Sequence, residues 1–78
     1  MALTYEQSLA IIRTATLLGG WAHVLAPFEA ELAGEVVARF RVSPERMTLT
    51  DNEWRVIQEA VAAMTAARTE TPDLRGAA

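Results

Sequence analysis

Thr50-Asp51-Asn52-Glu53-Trp54-Arg55-Val56-Ile57-Gln58-Glu59-Ala60-Val61-Ala62-Ala63-Met64 is the stretch that decides the fold. Thr50 and Glu53 stand three apart. At that spacing a threonine hydroxyl accepts the Glu53 amide while the glutamate carboxylate accepts the Thr50 N–H, which satisfies two of the donors a helix start leaves open. Trp54, Ile57, Val61 and Met64 then recur at intervals of three, four and three, lining one side of an α-helix. The pattern predicts a helix from Asp51 to about Ala67 with that line as its apolar stripe. Val56, Ala60, Ala63 and Ala67 add apolar surface on an adjoining face, so this helix needs more than one neighbour.

Working outward, Thr4 and Gln7 repeat the capping spacing and open a first helix. Tyr5, Leu9, Ile12 and Thr16 follow at helical intervals, and Ile11, Ala15 and Leu18 widen the face enough for packing on two sides. Gly19-Gly20 is expected to end this helix, because glycine adopts the left-handed C-terminal conformation without a Cβ penalty. Pro27 has no amide to donate and suits the first position of a second helix, which runs to about Arg41 after a short turn from Trp21 to Leu25. Phe28, Leu32, Val36 and Phe40 recur at intervals of four along it. Glu35 precedes Arg39 by four, the favourable order for an exposed ion pair. Residues 42–49 read as a turn, with room for a short helical piece or an extended Met47 to Leu49. Past Arg68 all periodicity is lost, so residues 69–78 are expected to be a disordered tail behind a single domain over 1–68.

The chain has 78 residues, no cysteine and a formal charge of −3. That length allows one domain with a modest core, and the missing thiols exclude disulfides, thiolate metal sites and cysteine catalysis. Hydrophobic residues make up 51% of the chain but aromatics only 6%, because much of the apolar count is alanine, which buries little area. A limited core shifts weight towards association. All seven basic residues are arginine, as coding in a GC-rich genome would give. The acidic balance opposes general attraction to nucleic acid or anionic membrane. The start Met-Ala-Leu-Thr-Tyr-Glu does not read as a signal peptide, and Leu17 to Phe28, the longest apolar run, is interrupted and far short of the roughly 20 residues of a spanning helix. The expectation is a cytoplasmic protein without a membrane partner.

Chemistry-bearing patterns are weak. His23 is the only histidine and has no metal-ligand partner at a recognisable spacing. Glu29, Glu31 and Glu35 lack the Glu-x-x-His pairing of di-metal carboxylate sites. Ser8 and Ser43 have no activating base in a motif, and Gly19-Gly20 matches no phosphate loop. No catalytic, cofactor, metal or small-molecule site is expected.

Residues 35–47, Glu-Val-Val-Ala-Arg-Phe-Arg-Val-Ser-Pro-Glu-Arg-Met, resemble the middle of a helix-turn-helix. That resemblance implies DNA binding through Arg41, Arg46 and Thr48. Arg41 stands where the motif usually has glycine, and a Thr50 cap would interrupt the recognition helix.

The leading reading is therefore all-α: a small bundle of three main helices, with a short extra helix around residues 20–26. Its expected function is protein association, with itself or as an accessory or inhibitory subunit of a larger complex; the alternative is a helix-turn-helix regulator. Trp54, Ile57, Val61 and Met64 supply the core or interface stripe, Phe28, Leu32, Val36 and Phe40 its complement, and Trp21 a further anchor.

Overall fold

The computed structural model describes residues 3–70, and they contain three α-helices and no strand. Helix α1 spans Tyr5–Trp21, α2 spans Pro27–Val42 and α3 spans Asp51–Glu70. Both threonine boxes are formed. The Gln7 and Glu53 amides donate to Thr4 Oγ1 and Thr50 Oγ1 at 3.0 and 3.1 Å. The Thr4 and Thr50 amides donate back to the Gln7 and Glu53 side chains, each at 3.0 Å. At α2 the alanine before Pro27 has no acceptor to offer, so only half a box forms: the Ala26 N–H donates to Glu29 Oε1 at 3.1 Å.

The chain runs up, down and up. Cleft-lining residues at the start of α1 lie beside those at the start of α3, and residues near its end lie beside the later part of α3, so α1 and α3 are parallel neighbours. Helix α2 returns between their ends and packs on both. One core cluster joins Ile11, Ala33, Val36, Val37 and Ile57 with Met47 of the loop. The other joins Leu17, Leu25, Ala60 and Met64. Thr14 is fully buried, and its hydroxyl donates to the Ala10 carbonyl at 2.8 Å, so no stranded polar atom results.

Several expectations are corrected. Gly19-Gly20 does not end α1, which continues through both glycines to Trp21 with no positive φ, then tightens into a 3-10 turn over Ala22–Val24. That turn is the short extra element expected near residues 20–26. The predicted Glu35–Arg39 pair is replaced by Arg39 to Glu53, Nη2 to Oε2 at 2.9 Å, which bridges two helices. The turn expected within residues 42–49 is formed at Ser43-Pro44-Glu45-Arg46. The Arg46 amide donates to the Ser43 carbonyl at 3.2 Å, a β-turn with proline at its second position. Met47 then turns inward, Thr48 outward and Leu49 inward, the alternation of extended chain. Thr69 and Glu70 belong to α3 instead of the expected tail; the remainder of that tail, 71–78, lies outside the described residues.

Gly19 and Gly20 cost helix stability without serving a turn, and a Cβ on either meets nothing within 4 Å. Gly19→Ala and Gly20→Ala should each stabilise the fold by about 0.5–1 kcal/mol, read as a higher Tm in thermal melts. A lower Tm would show that the backbone there is not helical. Glu53 joins a cap to an ion pair, so Glu53→Ala should cost more than Thr50→Ala, itself worth about 1 kcal/mol. An Arg39/Glu53 double-mutant cycle in urea should return a coupling no larger than about 1 kcal/mol, because Arg39 is half exposed.

Candidate functional site

The buried face of α3 consists of Val56, Ile57, Ala60 and Met64. It shares Ile57 and Met64 with the predicted stripe but is rotated away from Trp54 and Val61, which are only half-buried. Packing explains the rotation. Ala60 is fully buried, and an alanine at the contact lets neighbouring helices approach closely. Trp54 is too large for that position and covers the edge of the first cluster, while Val61 covers the edge of the second.

The complement on α2 is corrected in the same way. Val36 is fully buried, Phe40 packs on the core edge and Leu32 is half-buried, but Phe28 is 64% exposed. Ala33, Val36 and Val37 form the face α2 turns inward. Trp21 is half-buried and stacks on the exposed His23 with ring centroids 5.9 Å apart. On α1 the inward residues are Ile11, Thr14 and Leu17, so the line Tyr5, Leu9, Ile12, Thr16 faces outward; Tyr5 is 82% and Ile12 50% exposed.

The edge residues of α1 and α3 meet on the side away from α2. Two adjoining hollows, of about 200 and 330 Å³, run between the parallel helices and share Arg13 and Val61. Leu9 and Trp54 line the first, Ile12 and Thr16 the second, with Glu6 at one end and Arg68 at the other. Sequence reasoning selected Trp54 and Val61 as interface candidates but did not assign Leu9, Ile12, Arg13 or Glu6. For Leu9 and Ile12 the signal was the stripe on α1, which reads as a core face until the true core face is seen; Glu6 and Arg13 carry no such signal.

A further cleft of about 500 Å³ lies at the end of α2, lined by the apolar Ala38, Val42 and Met47 and by Arg39 and Arg46. It coincides with the segment that resembles a helix-turn-helix. Arg41 is exposed on the last turn of α2, while Arg46 and Thr48 are exposed on the connection, ahead of α3. The first turn of α3 carries Asp51 and Glu53, charges opposed to a phosphate backbone.

Among the described residues no group of three or more His, Asp or Glu side chains converges, and no helix is long and apolar enough to cross a membrane. The fold defines a small all-α, up-down-up helical bundle. No protein-family model matches the chain, and neither a curated protein nor a solved structure does.

Core and edge separate cleanly under substitution. Ile57→Ala removes a fully buried side chain and should cost about 2–5 kcal/mol, a large share of the stability of so small a domain. Val61→Ala, at the rim, should cost under about 1 kcal/mol. Urea titration of the two variants checks the contrast, and equal losses would place Val61 in the core.

Proposed function

We propose that this protein works by helix-mediated association, presenting the outer α1–α3 face to a protein partner. The observation that carries the reading is the groove between two parallel helices. It gathers Leu9, Ile12, Trp54 and Val61 in partly exposed positions on one side of a bundle whose third helix lies on the other. Apolar side chains so aligned gain from a further helix laid against them, as the fourth member of a bundle would be. Trp54 supplies a rigid aromatic edge of the kind that dominates interface energetics.

The nucleic-acid reading has less support. Its candidate side chains sit on the last turn of α2, a β-turn and an extended segment, and the next helix opens with acidic residues. A recognition helix needs its N-terminal residues free to meet base edges.

Ile12→Arg and Val61→Arg place charges on the outer face without entering the core. Each should abolish association, with itself or with a partner taken from native lysate, while leaving helical circular dichroism and Tm close to those of the parent. Association that persists in both variants would remove this face from the function. Titration with duplex DNA at low salt should show no binding.

A further inference from the structure

We infer that the occupant of the α1–α3 face is a second copy of this chain, packed antiparallel about a two-fold axis. This rests on the association reading above and commits it to a partner. Glu6, Leu9, Arg13, Trp54, Gln58 and Val61 line a single hollow. Glu6 and Arg13 lie seven residues apart on α1, and Trp54 and Val61 lie seven apart on α3. Seven residues are two helical turns, about 10.5 Å. Glu6 and Trp54 line only this hollow while Arg13 and Val61 both line its junction with the second, so the two pairs run side by side and their midpoints fall together, beside Leu9 and Gln58.

A two-fold axis lying in the plane of contact and crossing both helices at right angles at the level of those midpoints sets α1 against its own copy and α3 against its own copy, each pair antiparallel. Glu6 then faces the copy's Arg13, Arg13 faces the copy's Glu6, and Trp54 faces the copy's Val61. Each contact is made twice, as an isologous interface requires. The arrangement is complementary in both charge and shape: opposite charges meet along α1, and a large aromatic meets a smaller aliphatic residue along α3. The alternative axis, parallel to the helices, sets α1 against the copy's α3 in the same direction. It leaves Glu6 beside Trp54 and Arg13 beside Val61, with neither charge matched. Within the chain neither Glu6 nor Arg13 forms an ion pair among the described residues, where Arg39–Glu53 is the one formed.

Charge reversal tests the geometry directly. Glu6→Arg leaves two arginines along α1 and Arg13→Glu leaves two glutamates, so each variant repels its own copy. Mixed in equal amounts, the two restore opposite-charge contact in a heterodimer. Light scattering and native mass spectrometry at protein concentrations up to roughly 1 mM, which reveal even millimolar affinities, are the readouts. The parent should dimerise, each variant alone should do so at least about tenfold more weakly, and the mixture should recover the dimer as a one-to-one heterodimer. Circular dichroism confirms that both variants remain helical. A parent that stays monomeric throughout the range overturns the inference. So does a dimer indifferent to either reversal, or a mixture that fails to recover.

These failures are distinguishable from failure of the association reading. A monomeric parent that still captures a partner, with capture lost on Val61→Arg, refutes the second copy and keeps the face. A dimer that survives Val61→Arg refutes the face itself.

Discussion

The structure depends on the burial of Ile57 and Met64, two turns apart on α3. Both are fully excluded from water, yet they belong to different clusters: Ile57 packs with Ile11 and Val36, Met64 with Leu17 and Leu25. One helix therefore ties the two halves of a divided core together. Each side chain contributes about 1.5–3 kcal/mol by leaving water, a substantial amount in a domain of this size. The fully buried alanines Ala33 and Ala60, one in each cluster, set how closely the helices approach. With such small groups at the contacts the interior has no room for an indole, and both tryptophans are displaced to the edges.

Local chemistry was the legible part of the sequence. The boxes at Thr4 and Thr50 and the proline at the start of α2 depend only on residues three or four apart, and each forms as its spacing requires. The choice of face was less legible, because it depends on what lies opposite. A stripe through Trp54 and Val61 and one through Val56 and Ala60 have equal claims by periodicity, and only neighbours of limited depth decide for the second. The same ambiguity made Tyr5 and Ile12 resemble core residues. Arg39 shows the limit plainly. Glu35 is its sequence neighbour, but the carboxylate of Glu53 is already held in place by its cap and needs little further ordering to accept the guanidinium.

Gly19-Gly20 misled for a related reason. A glycine pair is a stop signal only where the chain gains by turning, whereas the continued helix brings Trp21 against the second cluster beside Leu25 and Ala30. Ser43-Pro44 is ambiguous in another sense, since a helix start and a β-turn share the same two residues. Met47 and Leu49 decide between them, because both point inward and gain more from extended chain docked on the core than from another helical turn. Leu9 and Ile12 became recognisable as surface candidates only once the core had been assigned, because an outer apolar face is the surface that the core leaves over.

An odd number of helices has an electrical consequence. Two run one way and one the other, so a single helix dipole remains uncancelled, equivalent to roughly half a unit charge at each end of the bundle. Most termini carry a compensating charge, Glu6, Glu29, Asp51 and Glu53 on the first turns of the three helices and Arg39, Arg41 and Arg68 on the last turns of α2 and α3, whereas the last turn of α1 carries no basic residue. The remainder gives the molecule a polarity along its length. Two such bundles lying side by side are drawn to opposite headings, as bar magnets are, before any side chain has touched.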